Sequence, residues 1–204
     1  MRITVNQEIW PVSTRPRSVA THQKVLTATA ELLREVGFRG ISVERISEHS
    51  GVSSATLYKH WPTKNAIVAE AFGRVASEAL QFPVDGDPLA NLINCTVESL
   101  TFHSVQSGRV FFQLLAACSL EPQSAAYIDQ FYMAPRREAL KPLFARALAS
   151  GQLAPGLNIE MAMDVVYGAA VFRLMRDADN VAVVDIEETV RWSVRGLLAE
   201  QPRN

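Results

Sequence analysis

Apolar residues at Val25, Leu26, Ala28, Ala30, Leu32, Leu33 and Val36 recur at the spacing of one helical face, which predicts an amphipathic helix from about Ser18. Gly37 stops it as a left-handed C-terminal cap. After the turn Phe38-Arg39-Gly40-Ile41, Ser42 is placed to cap a second helix with Val43 and Ile46 inward, ending at Gly51. Ser53 caps a third helix in which Leu57 and Trp61, four apart, share a face until Pro62 terminates it. Thr63 opens a fourth helix through Ala66, Ile67, Ala69, Phe72 and Ala76 to about Leu80.

The stretch Phe82-Pro83-Val84-Asp85-Gly86-Asp87-Pro88 is turn chemistry, with Asp87 as N-cap and Pro88 at the first helical position. Beyond it the pattern predicts helices at about 88–105, 108–119, 123–150 with Pro135 and Pro142 interrupting, 159–176 and 186–200. No strand alternation stands out, so the expected class is all-α. The expected organisation is a flexible N-terminal arm over 1–17, a helix-turn-helix domain over 18–65, and a larger helical domain over 66–204 joined through the fourth helix, about 63–80.

The second helix, the Gly51-Val52 turn and the third helix read as a helix-turn-helix. Val43, Ile46, Val52 and Leu57 are its small core. Outward on the third helix remain Ser54, Ala55, Thr56, Tyr58, Lys59 and His60, small residues first and longer polar ones behind. Small side chains let a helix N-terminus approach base edges in a major groove, and the hydroxyls, ammonium and imidazole behind them suit phosphate oxygens on the groove walls.

Charge sharpens this picture. The chain of 204 residues is 48% hydrophobic and carries a net charge of only −1. Residues 1–65, however, hold nine bases against five acids, and the remainder is correspondingly acidic. A basic head on an acidic body fits a small nucleic-acid-binding module attached to a larger non-binding domain. Cys95 and Cys118 are far apart, with no histidine at ligand spacing, so buried thiols are expected rather than a disulfide or a metal site. Asp177-Ala178-Asp179-Asn180 lacks the downstream glycine and glutamate of a calcium loop. There is no GxSxG, HExxH, GxGxxG or GxxxxGK[ST], so neither an enzyme nor a cofactor is expected. Met1 to Ser13 lacks the apolar run of a signal peptide, and no window approaches the roughly 20 apolar residues of a membrane span, so a cytoplasmic protein is expected.

The segment ISVERISEHSGVSSATLYKHWPTKNAIVAEAF, Ile41 to Phe72, resembles the N-terminal DNA-binding domain of TetR/AcrR-type transcriptional regulators. The resemblance is carried by Gly37-Phe38, Ser42, Ser50-Gly51-Val52-Ser53, Thr56-Leu57-Tyr58, His60-aromatic-Pro62 and Lys64. Trp61 stands where phenylalanine is usual, Asn65 where an acid is common, and Ser54-Ala55 where lysine and glycine often sit. By this resemblance Ser42, Thr56, Tyr58, His60 and Lys64 contact phosphates. Ser54, Ala55 and Lys59 lie nearest the base edges, with Ser53 at the head of the same surface. The residues by themselves also allow Ser42 and Ser53 as plain caps, Tyr58 and Trp61 as packed aromatics and Lys64 as a solvated charge.

The segments YMAPRREALKPLFARALASGQL, MAMDVVYGAAVFRLM and VRWSVRGLL resemble the ligand-sensing and dimerisation domain of one TetR subgroup. Ile159 to Met175 and Ile186 to Leu198 are long helices with Gly168, Ala169 and Ala170 at hand and more apolar surface than one helix partner covers, so pairing with a second copy is expected. A two-fold dimer presents two recognition helices to one face of double-stranded DNA and predicts an inverted-repeat operator. Candidate residues for an effector pocket are Phe102, His103, Phe111, Phe112, Gln113, Tyr127, Phe131, Tyr132, Met133, Tyr167 and Phe172, aromatic bulk with a few polar tips. The expected function is a homodimeric repressor released from its operator by a small molecule. The alternative is a helical small-molecule-binding or interaction protein without DNA binding.

Overall fold

A computed structural model describes residues 2–3, 16–83, 85–177 and 181–199. In chain order the helices are α1 (Pro16–Gly40), α2 (Val43–Ser50), α3 (Ser54–His60), α4 (Lys64–Ala79), α5 (Pro88–Ser104), α6 (Gln106–Leu120) and α7 (Pro122–Ile128). A π-helical turn (Asp129–Met133) then leads into α8 (Ala134–Ala149), followed by α9 (Ile159–Asp177) and α10 (Val183–Arg195). Among the described residues the fold is all-α apart from an isolated bridge between Leu153 and Leu198 and a two-strand pairing that the pattern did not predict. Strand β1 (Arg2–Ile3) pairs antiparallel with β2 (Phe82–Pro83), Ile3 opposite Phe82. Most of the expected N-terminal arm, the loop residues 178–180 and the Cys118 side chain lie outside the described residues.

Each predicted punctuation mark has a physical counterpart. At Gly37 the helical dihedrals break with φ 66° and ψ 177°. The extended ψ is not that of a left-handed cap, but this region too is open essentially to glycine alone. Gly51 at φ 65°, ψ 23° is a left-handed cap in the ordinary sense. Asp87 caps α5 by accepting from the Ala90 amide at 2.7 Å, with Pro88 inside the first turn. The segment expected as one interrupted helix over 123–150 instead divides at the π turn. Pro135 falls in the first turn of α8, where its missing N–H is tolerated, and Pro142 stays inside that helix. The last helix starts at Val183, three residues earlier than expected.

The described chain forms two compact units. One comprises 16–79 with 106–135, and the other 2–3 and 80–105 with 136–199. In the first, α1 packs on α2, α4 and α6, and α4 is also covered by α6, α7 and the π turn. Its centre is Val25, Ile46, Leu57, Ile67 and Val68, all inaccessible to water. In the second, α5 lies against α9 and α10, burying Leu92, Leu100, Met163, Val166, Ile186 and Val190. The segment 106–135 thus packs with the helix-turn-helix although the sequence-based division by role groups it with 66–204.

Candidate nucleic-acid interface

Helix α3 has only seven residues, too few to be stable by its own hydrogen bonds, so its neighbours must hold it. Leu57 is fully buried on the face that packs against α2, where Val43 and Ile46 are buried too. At its start the Ser53 hydroxyl accepts from the Thr56 amide at 3.3 Å and lies 2.9 Å from the Thr56 hydroxyl. At the start of α2 the Ser42 hydroxyl accepts from the Arg45 amide at 3.2 Å. Both serines therefore act as caps, which orients the first turns of the two helices.

The other face of α3 is open. Tyr58 is 52% exposed, Ala55 and Lys59 are exposed, and Ser54, Thr56 and His60 are half-buried. Just beyond, the Lys64 ammonium sits 4.7 Å from the centre of the Phe38 ring, a cation–π contact that restrains a flexible side chain. The structure thus gathers small residues at the head of α3 and an ammonium, a phenol and an imidazole behind them, as the pattern predicts.

Trp61 is packed, 3% exposed, and belongs to a network that sequence reading did not find. Its indole N–H donates to one oxygen of Glu70 at 2.6 Å, and His22 bonds the other at 2.7 Å while stacking on the indole at 4.6 Å. One carboxylate on α4 thereby ties α1 to the end of the recognition helix. Nothing local marks Glu70, because its partners lie nine and 48 residues away. Glu70→Ala leaves both donors without an acceptor, an expected loss of about 1–3 kcal/mol. Denaturant unfolding checks this, and Glu70→Gln, which still offers the indole an oxygen, is expected to lose less.

The expected pocket residues are divided between the two units. Phe111 and Tyr132 pack with Phe72 in the first unit, ring centres 5.0–6.2 Å apart, and Phe112 meets Phe111 edge-on at 5.2 Å. Tyr127, Phe131 and Met133 are half-buried in the same unit, and Gln113 is exposed on α6. His103 belongs to the second unit and is 5% exposed. Its Nδ1–H donates to the Ser99 carbonyl at 2.6 Å, and Phe102 touches it edge-on. Tyr167 is half-buried, with its hydroxyl buried and unpartnered. Phe172 is a correction. It is 66% exposed, eleven residues after exposed Met161 on the outer face of α9, because the helical period carries it away from buried Val166, Ala170 and Leu174.

No helix among the described residues is long and apolar enough to cross a membrane. The family described as "Bacterial regulatory proteins, tetR family" matches residues 25–71, and "Tetracyclin repressor-like, C-terminal domain" matches residues 83–192. The chain is 30% identical over 185 residues to the uncharacterized HTH-type transcriptional regulator YdeS of Bacillus subtilis, covering 91% of this chain and 93% of that protein. It is 24% identical to the HTH-type transcriptional regulator UidR of Escherichia coli, over 72% of this chain and 79% of UidR. The solved structure of the TetR family transcription regulator SCO0332 superposes with a TM-score of 0.76 at 28% identity, covering 87% of this chain and 98% of that one. With a helix-turn-helix at one end, a matching C-terminal domain at the other and relatives alike along nearly the whole length, the chain belongs to the TetR family of transcriptional regulators and is a DNA-binding regulator rather than an enzyme.

Proposed function

We propose that the protein is a cytoplasmic homodimeric repressor that binds an inverted-repeat operator and is released by a small-molecule effector. The observation that carries the DNA reading is the open face of α3, fixed by Ser53 at its head and Leu57 beneath it. Ser54, Ala55 and Lys59 lie nearest the bases, while Ser42, Thr56, Tyr58, His60 and Lys64 hold phosphates. Ser53 acts by capping.

The dimer reading rests on α9. Met161, Val165, Gly168, Phe172 and Met175 follow one another at steps of four and three, the spacing of a helix–helix seam, and all five are exposed. On α10, exposed Val184 and Trp192 add two more apolar positions eight residues apart. A face of this kind in one protomer is covered when a second copy pairs with it around a two-fold axis. Effector binding then acts as a coupling free energy between pocket and operator, typically about 1–3 kcal/mol.

Selection of random duplexes on the purified protein at physiological salt tests the whole reading. An enriched inverted repeat is expected, and a folded dimer that enriches nothing would overturn it. With that operator, Tyr58→Phe and Lys64→Ala are expected to weaken operator and unrelated duplexes alike. Lys64→Ala should also flatten the dependence of log K on log salt by about 0.9, one phosphate's worth of released counterion. Unchanged affinity in both variants would remove the phosphate roles.

A further inference from the structure

We infer that the second unit holds a binding site for a small carboxylic acid with an apolar body, its carboxylate gripped by the side-on fork of Arg136. The inference rests on the ligand-responsive reading above and gives that ligand its chemical class.

Two neighbouring arginines at the start of α8 have opposite fates. Arg137 faces outward and pairs with Glu160 and Asp164, both at 2.7 Å. Arg136, one helical step of about 100° round, lays its guanidinium 4.5 Å from the centre of the Phe82 ring, which is itself 1% exposed. Its Nε and Nη2 are both buried, and no group accepts a hydrogen bond from either. These two nitrogens form one edge of the guanidinium, the edge that takes both oxygens of a carboxylate.

Among the described residues no carboxylate accepts a hydrogen bond from this edge. The charge of Arg136 acts on Cys95 and His103, both on the buried face of α5. Burial pushes the Cys95 thiol up to about 11, with a further rise from Glu98, and burial holds His103 down to about 4. Both are uncharged at neutral pH. Glu98 is exposed and does not accept from the fork. Between Cys95 and His103, four residues from each on the same helical face, lies Ser99, whose hydroxyl is buried and has no partner. A fork stacked on Phe82, and a hydroxyl between the Cys95 and His103 on which the same guanidinium acts, both lack a partner and match an acid with an apolar body. Two inaccessible N–H donors without an acceptor are relieved by a group that accepts from both, and a carboxylate does so at one edge.

The test uses the full chain labelled with 15N-arginine, following the Arg136 Nε–H resonance, assigned by its loss in Arg136→Met. The titrants are decanoate and 4-phenylbutyrate, with their primary amides as matched neutral controls, and calorimetry measures affinity. At least one acid is expected to shift the resonance saturably and to bind roughly 10-fold or more tighter than its amide, since each factor of ten needs only one good charge-assisted bond. Arg136→Met should erase that preference, and Arg136→Lys, which keeps the charge but not the fork, should weaken the acid. Without ligand, Arg136→Met should melt at or above the parent, because two inaccessible nitrogens without acceptors are gone. No shift with either acid at millimolar concentration, equal binding of acid and amide, or an Arg136→Met variant that melts well below the parent would each overturn the assignment. An acid that occupies the fork without releasing operator DNA supports this site and counts against the effector-released repressor instead.

Discussion

Replacing Phe172 with Arg is expected to turn the proposed dimer into monomers and lower operator affinity by about 10²–10⁴-fold, the advantage lost when two linked contacts become one. Phe172 is 66% exposed in the protomer, at the fourth position of the α9 seam. Burying a phenylalanine side chain contributes about 1.5–3 kcal/mol, and two-fold symmetry counts it twice. An arginine forfeits both contributions and sets two like charges near the axis. Sedimentation equilibrium reads the oligomer, and titration of the selected operator reads affinity. Because the side chain is exposed in the protomer, thermal unfolding of the variant's isolated chain should show the same secondary structure content. A variant that remains a dimer with unchanged affinity would move the interface away from α9.

Gly73→Ala is expected to destabilise the first unit by about 2–3 kcal/mol, near the top of the usual overpacking range. In an open helix this change stabilises by up to about 1 kcal/mol, because alanine loses less backbone freedom on folding. Here an added Cβ would lie 2.0 Å from the Phe131 carbonyl oxygen and 2.9 Å from its carbon. Backbone cannot rotate aside as a side chain can, so α4 and the π turn must separate and the overpacking term decides the sign. For a chain of this size the expected drop in Tm is about 4–12 °C. The wide backbone of the π turn is what brings that carbonyl against α4, and π turns concentrate where function needs an irregular helix. Operator affinity should therefore fall along with stability, since α4 carries Lys64 and Glu70. An unchanged or raised Tm would mean that the two elements part at no cost.

The helix-turn-helix was legible because every element of it is short-range. Ser42, Gly51, Ser53 and Pro62 punctuate it, and Val43, Ile46 and Leu57 mark its inner face at helical spacing, all within about 20 residues. The same locality made the seam on α9 legible as surplus apolar surface. The pocket was not legible, because aromatic residues carry the same periodicity whether they fill a core or line a cavity. Phe111 and Tyr132 pack against Phe72, whereas Phe172 faces outward.

The sequence by itself determined the all-α class, the helix-turn-helix with its caps at Ser42, Gly51 and Ser53, and the family. These depend on backbone preferences and on side chains a few residues apart, which chain order fixes directly. Tertiary structure alone decided that Glu70 joins His22 to Trp61, that Gly73 admits the Phe131 carbonyl, that 106–135 packs with 16–79, and that Arg136 turns inward while Arg137 pairs at the surface. Each of these depends on which distant segments meet. A charge or a glycine takes its energetic meaning from what surrounds it, and spacing along a chain does not carry that information.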